Sequence, residues 1–204
     1  MTLTIDGLQV AADGSVLDAV LAAAIELPHL CKDDHLPAIG ACRTCLVEAD
    51  GRIVAACSVP ASAVGEVVTG SERVVRIRRG VLELTASMQR EGRGAGPLSR
   101  TAARTLERAA VDRSRYPLRT ALREDASNPF FVFREEACIL CGRCVMACQS
   151  LQHISAIGLA GRGASTRVTP GADVSFREST CTSCGSCVAA CPTTALSPKD
   201  GAQA

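Results

Sequence analysis

Tryptophan is absent from this 204-residue chain, tyrosine occurs once, at Tyr116, and phenylalanine occurs four times, at Phe130, Phe131, Phe133 and Phe176. With so few large side chains the hydrophobic cores are expected to be small and aliphatic, and something besides apolar burial must help hold them together. An excess of one charge is also missing. A formal net charge of +1 removes any global argument for nucleic-acid binding. Long hydrophobic runs are lacking too: the longest, Val16 to Leu27, is interrupted by Asp18 and Glu26 and falls short of the roughly 20 residues that span a bilayer, so no membrane insertion is expected. Met1 to Gly7 contain neither the basic segment nor the apolar stretch of a secretory leader, which points to a reducing cytoplasm and argues against a disulfide scaffold. Finally, no Ser/His/Asp constellation, phosphate-cradling glycine loop or nucleotide fingerprint is visible, and Gly161-Arg-Gly163 is too short to count as one. Any organic substrate is therefore expected to be handled elsewhere.

What the chain has in quantity is cysteine, twelve in all, and in a reducing compartment clustered thiols hold metal. Eight lie in an internal repeat, in which Cys138-Ile-Leu-Cys-Gly-Arg-Cys-Val-Met-Ala-Cys148 returns as Cys181-Thr-Ser-Cys-Gly-Ser-Cys-Val-Ala-Ala-Cys191. Each copy has the spacing C-x2-C-x2-C-x3-C, in which three close cysteines hold three corners of a cubane and the fourth reaches across to the other cluster. That pattern assigns Cys138, Cys141, Cys144 and Cys191 to one [4Fe–4S] cluster, and Cys181, Cys184, Cys187 and Cys148 to a second. Pro192 follows Cys191, whereas Gln149 follows Cys148 in the first copy, a departure expected to be minor. Gly142 and Gly185, between the second and third cysteines, are expected to make tight turns that bring backbone amides to the sulfurs.

The remaining four form the set Cys31-x10-Cys42-x2-Cys45-x11-Cys57, which differs from the plant-type C-x4-C-x2-C spacing yet can still surround the two irons of a [2Fe–2S] cluster. Gly40 and Ala41 are small, as a loop wrapped tightly on a cluster requires. Zinc also takes four thiolates from C-x2-C pairs, so a zinc-stapled scaffold is the competing interpretation. The triple C-x2-C-x2-C with a distant fourth cysteine suits a cubane better than a tetrahedral ion. With every set of four filled by thiols, His29, His35 and His153 are expected to be solvated or hydrogen-bonded loop residues.

Around these sets the pattern is α+β. Asp6-Gly7 between Thr2–Ile5 and Gln9–Ala12 marks a hairpin with a type I′ turn. Ser15 caps a helix of about three turns ended by Pro28, with Asp18 in its first turn. Asp50-Gly51 joins a second hairpin, Leu46–Glu48 with Ile53–Ala55, and Glu66–Thr69 reads as a further strand. The spacing of Val74, Ile77, Val81, Leu84 and Met88 predicts a helix over Ser71–Gln89, although Gly80 weakens it by about 1 kcal/mol. Residues 92–128 read as a connector with a short helix near Ser99–Val111. Between Arg73 and Arg123 there are thirteen arginines against four acidic residues, which is either a solvated helical face or a docking surface for an acidic partner subunit.

Several segments together resemble a known family: Pro28-His-Leu-Cys31, Cys42-Arg-Thr-Cys45-Leu-Val-Glu48, Arg78-Arg-Gly-Val-Leu-Glu-Leu84, Ser127-Asn-Pro-Phe-Phe131, Cys138-Ile-Leu-Cys-Gly-Arg-Cys144 and Ala156-Ile-Gly-Leu-Ala-Gly-Arg-Gly163. They are similar to the cluster-bearing N-terminal region of NAD-dependent formate dehydrogenase alpha subunits, the diaphorase small subunit of NAD-reducing [NiFe] hydrogenases, and the 75-kDa-type subunit of complex I. The resemblance implies a β-grasp-like [2Fe–2S] ferredoxin domain over residues 1–70, a helical or irregular connector over 71–127, and a two-cluster [4Fe–4S] ferredoxin-like domain over 128–204. It also implies an electron-relay subunit of an NAD(P)-linked oxidoreductase. Its partners would be a flavin/NAD-binding diaphorase subunit and a separate catalytic subunit, a molybdopterin formate dehydrogenase first and a [NiFe] hydrogenase second. The family's large molybdopterin domain does not follow the second repeat, so it is expected on another polypeptide. The family's additional His-x3-Cys-x2-Cys-x5-Cys site has no counterpart, since Thr85 to Phe133 contain neither histidine nor cysteine. An iron–sulfur redox sensor is the alternative from a different functional class.

Overall fold

The structure, a computed structural model, describes residues 1–89, 111, 115–117 and 122–199. The helix expected near Ser99–Val111 falls almost wholly outside the described residues.

The first hairpin forms as the Asp-Gly turn dictates. Strand β1 (Thr2–Ile5) pairs antiparallel with β2 (Leu8–Ala11), and Asp6 and Gly7 take φ of 48° and 85°, the two positive values that a type I′ turn needs. The second hairpin repeats this with β3 (Leu46–Ala49), β4 (Arg52–Ala55) and the left-handed pair Asp50-Gly51. Strand β5 (Glu66–Val68) then slots between them, parallel to β1 and antiparallel to β3, which gives a mixed sheet of order β2-β1-β5-β3-β4. Helix α1 (Val16–Ala22) packs on it with Val16, Leu17, Ala19 and Val20 buried against Leu3, Ile5, Val47 and Val67.

Ser15 and Asp18 form the reciprocal capping box at the start of α1. Its end differs from expectation: α1 is seven residues long and stops well before Pro28. Ala24 takes the left-handed conformation, φ 57°, and the amides of Ala24 and Ile25 return to the carbonyls of Leu21 and Val20 at 3.0 and 3.2 Å. Glycine usually fills that role, so an alanine there left no mark in the sequence.

Helix α2 (Glu72–Ser87) is capped by the Ser71 hydroxyl, which accepts from the Val74 amide and donates to Glu48 on β3 at 2.8 Å. Arg78 donates to the Leu46 carbonyl, and Gln89 reaches the Ala137 carbonyl at 3.3 Å, so α2 ties the sheet to the C-terminal half. Gly80 lies 3.9 Å, measured from where a Cβ would stand, from the Tyr116 hydroxyl, so the 115–117 segment lies across the helix at that point. Arg79 and Arg115 both bind the Glu83 carboxylate and hold its pKa down, Arg115 more strongly. Arg73 faces Glu48, and Arg123 pairs with Asp173. Much of the described arginine excess is thus engaged within the chain.

The C-terminal half shows the twofold pattern of its repeat. Copy one runs from β7 (Phe131–Arg134) through α3 (Arg143–Met146) to β8 (Ile157–Ala160), and copy two from β9 (Arg167–Pro170) through α4 (Ser186–Ala190) to β10 (Leu196–Pro198). The copies exchange edges: β7 pairs with β10, with β6 (Glu124–Asp125) on its other side, and β8 pairs with β9. Gly161-Arg-Gly163 is the β8–β9 turn. A Cβ on Gly161 would lie 2.3 Å from the Ser165 carbonyl oxygen, which explains the glycine without any nucleotide.

Two expectations change here. This core is aromatic at its centre: Phe176 meets Phe131 edge-on at 5.0 Å and Phe133 at 6.1 Å. The exchange of Pro192 for Gln149 also has a structural consequence. Pro192 forces the preceding Cys191 into extended backbone and ends α4, whereas Gln149 lets α3 run on as π-helical turns over Ala147–Leu151, through Cys148. Among the described residues no helix is long and apolar enough to cross a membrane.

Candidate functional site

All twelve cysteines are free thiols. In the N-terminal module, Cys31, Cys42 and Cys45 come from the loop between α1 and β3, and Cys57 from a single 3₁₀ turn directly after β4. The fold brings the four together. The Cys31 thiol hydrogen-bonds to Cys42 and Cys57, and Cys45 to Cys57. These donations hold Cys42 and Cys57 below the ordinary thiol value and push Cys31 and Cys45 up. Further donors surround the same sulfurs. The Thr44 hydroxyl is 3.1 Å from Cys42 Sγ and the Ser58 hydroxyl 3.5 Å from Cys57 Sγ, while the amides of Leu30 and Gly40 point at Cys42 and Cys57. A nest of donors around sulfur is what a thiolate ligand set requires.

Gly40 is the tightest point of that loop. It has φ 65°, and a Cβ there would stand 2.6 Å from the Ser58 hydroxyl. Gly40→Ala is expected to cost about 1–2 kcal/mol in backbone strain and to displace the Ser58 donor from Cys57. The check is thermal unfolding together with the visible absorption of the purified protein; an unchanged Tm and spectrum would show that the loop tolerates a side chain.

In the C-terminal module the sulfurs face two hollows, each lined by one predicted set of four. Cys138, Cys141, Cys144 and Cys191 line one together with Phe133, Pro192 and Leu196. Cys148, Cys181, Cys184 and Cys187 line the other together with Phe131, Ile154 and Ile157. Burial pushes Cys141 and Cys187 each up to about 12, and Cys144 well above its ordinary value. The neighbouring charges that add to this are chiefly those of the same set: Cys138 and Cys191 act on Cys141, and Cys181, Cys184 and Cys148 act on Cys187. Thiols so arranged, five of the eight buried, ionise together only around a cation.

The two C-x2-C-G loops are near copies. Leu140 and Ser183 have φ of 53° and 61°, Gly142 and Gly185 of 80° and 78°. The winding turns the Leu140 amide onto Cys138 Sγ and the Ser183 amide onto Cys181 Sγ, both at 3.4 Å. A Cβ on Gly185 would meet nothing within 4 Å, so the left-handed backbone is what selects glycine there. The Ala156 amide donates to Cys148 at 3.2 Å.

Sequence reasoning missed Asn128 as a supporting residue, although its motif was noted. The fully buried Asn128 amide donates to the Ser183 hydroxyl at 2.9 Å and lies 3.9 Å from Cys181 Sγ, while its oxygen accepts from the Phe130 amide. Asp125 and Ser127 accept from the amides of Phe176 and Arg177, which pins the loop that leads to Cys181. The histidines are hydrogen-bonded or exposed loop residues: His29 bonds the Leu27 carbonyl, and His35 and His153 are exposed.

The three sets are neighbours. Leu30, Cys31, Ile39 and Cys42 pack against Ile139 and Cys141, and Leu36 packs on Ala147, Met146 and Ala190. The charge of Cys42 reaches Cys141, and that of Cys187 reaches Cys144. Arg143 bridges the modules by an ion pair to Asp33. Burial pushes its guanidinium down, opposed by the charges of Cys191 and Cys31. Cys184 is the one exposed cysteine of the twelve.

Comparison with known proteins accords with this geometry. The family of the 2Fe-2S iron-sulfur cluster binding domain matches residues 1–72, and that of the 4Fe-4S dicluster domain matches residues 131–195. Among curated relatives, the NADPH-Fe(3+) oxidoreductase subunit alpha of Geobacter sulfurreducens is 32% identical over 186 residues, 81% of this chain and 20% of that protein. The putative formate dehydrogenase YrhE of Bacillus subtilis is 29% identical over 165 residues, 74% of this chain and 16% of that protein. The chain therefore spans a fifth or less of the length of these relatives. A chain in the crystal structure of NAD+-reducing [NiFe]-hydrogenase in the H2-reduced state superposes with a TM-score of 0.84 at 32% identity, covering 98% of this chain and 88% of that one. The chain thus belongs to the iron–sulfur family that joins a [2Fe–2S] ferredoxin domain to a 4Fe–4S dicluster domain, as an electron-transfer subunit related to NAD(P)-linked oxidoreductases that include formate dehydrogenase and NAD-reducing hydrogenase.

Proposed function

We propose that the chain is a cytoplasmic relay subunit that passes single electrons between a flavin/NAD subunit and a catalytic metal subunit, most closely that of a formate dehydrogenase. Cys31, Cys42, Cys45 and Cys57 would hold one [2Fe–2S] cluster. Cys138, Cys141, Cys144 and Cys191 would hold a first [4Fe–4S] cluster, and Cys148, Cys181, Cys184 and Cys187 a second. Bound there, the clusters supply one-electron redox chemistry. The protein supplies twelve sulfur donors, the amide and hydroxyl groups that stabilise their negative charge, and a buried or half-buried setting for all but Cys184. The observation that carries the reading is contiguity: the Cys31/Cys42 loop packs directly on Cys141, and each hollow takes its fourth cysteine from the other repeat, Cys191 in the first and Cys148 in the second. On this reading electrons would cross between the modules at that contact, without the family's histidine-containing site.

The [NiFe]-hydrogenase match, which covers nearly the whole of both chains, favours a diaphorase-type subunit of an NAD-reducing hydrogenase as a second reading. Purification of the native complex followed by assays with formate, hydrogen and NADH separates the two. Recovery without any flavoprotein or metallo-catalytic partner would overturn both. Loading is checked independently: anaerobically purified protein is expected to contain about ten irons per chain, and zinc in place of iron would end the relay reading.

A further inference from the structure

The two halves of the cysteine repeat match in backbone yet differ at one half-buried position. Copy one has Gly142-Arg143-Cys144, and copy two has Gly185-Ser186-Cys187, with the glycines at φ 80° and 78°. Ser186 is neutral and only partly buried, and its hydroxyl accepts from Gln152 at 2.9 Å and from the Cys184 thiol at 3.7 Å. Arg143 places a permanent positive charge at the equivalent point. Its side chain is 16% exposed, as is that of its partner Asp33, which comes from the [2Fe–2S] loop. One guanidinium nitrogen, Nε, is buried with no hydrogen-bond partner. A buried donor left without an acceptor costs about 1–3 kcal/mol, so its retention asks for an acceptor in the loaded protein, and the sulfurs whose charges reach it are those of Cys191 and Cys31.

We infer that Arg143 is a positioning residue that sets apart the reduction potentials of the two cubane sites, its half-buried charge favouring reduction at the first-repeat site and at the adjoining Cys31 set, while Asp33 holds it there and moderates its field. The inference rests on the relay reading proposed above. Its physical basis is that reduction adds an electron to a site already ringed by thiolates, and a fixed cation in a region of low dielectric stabilises the added charge. Since copy two carries a neutral hydroxyl at the same point, only one of two otherwise similar sites receives this stabilisation.

The test is a potentiometric EPR titration of the full chain loaded with its clusters, with iron counted in every sample. Arg143→Gln is expected to make reduction of one [4Fe–4S] centre roughly tenfold less favourable, a fall of about 59 mV for one electron, while the other centre stays in place. Asp33→Asn, which keeps the cation and removes its counter-charge, is expected to shift the same centre the opposite way. A purely structural role for the pair predicts no such opposition of sign. If Arg143→Gln fails to load, the direction of the Asp33→Asn shift decides alone. Unchanged potentials, or shifts of one sign in both variants, with iron still near ten per chain, would overturn the inference and leave the relay reading standing. Wild-type protein without iron would remove the relay reading itself.

Discussion

Cys191→Ser is expected to strip the cubane site of the first repeat and leave that of the second, although Cys191 belongs to the second repeat in sequence. Its sulfur lines the hollow shared with Cys138, Cys141 and Cys144, and its charge falls on Cys141 and Cys144. Cys148 makes the reciprocal crossing into the hollow of Cys181, Cys184 and Cys187. Serine keeps the size of the side chain but does not ionise near neutral pH, so the loss of a ligand leaves three buried thiols whose ionisation nothing compensates. Iron should fall by roughly four of about ten atoms per chain, with one reduced-state EPR signal gone and the [2Fe–2S] signal intact. Cys184→Ser removes the other centre, so the two variants should lose different signals. Loss of the same signal in both, or full iron content in either, would refute the crossed ligand sets. Because cluster binding is part of the folding energy of such a module, each variant should also unfold at lower temperature.

The grouping of the C-terminal cysteines into two crossed sets of four was legible because cysteine spacing constrains chemistry before any fold is known, and because two copies of one spacing check each other. The hairpins were legible for a similarly local reason: Asp6-Gly7 and Asp50-Gly51 require turns that few other sequences favour, and both turns form. Tertiary events left weaker traces. The stop of α1 at Ala24 relies on an alanine in a conformation that glycine would have advertised. Strand β5 was visible, but its insertion between β1 and β3 depends on side chains far apart in sequence. Asn128 acts on Cys181 from fifty-three residues away, and no spacing rule links the two. Arg143 and Asp33 are separated by 110 residues, and each alone looks like an ordinary surface charge. The arginine excess misled by sheer number, since Arg73, Arg78, Arg79, Arg115 and Arg123 make contacts within the chain.

The largest stability effect should come from a residue that belongs to none of the sulfur sets. Phe176 is 1% exposed and stands between Phe131 and Phe133, edge-on to both. Phe131 forms one wall of the second-set hollow and Phe133 one wall of the first. Phe176→Ala therefore opens a cavity at the one point where the two sites share support. Truncation of a buried phenylalanine costs about 3–5 kcal/mol, and the two edge-to-face contacts place this site towards the upper part of that range. In a module of this size the expected fall in Tm exceeds about 10 °C. Both cubane signals should weaken together, because both walls lose their backing, while the N-terminal [2Fe–2S] signal persists on its separate sheet. Phe130→Ala provides the control: Phe130 is 54% exposed, and its loss should stay within about 0.5 kcal/mol. Calorimetry and EPR on the two variants distinguish a shared aromatic support from two independent sites. A Phe176→Ala protein that lost only one cubane signal, or that melted with the wild type, would show that the sulfur loops stand without it.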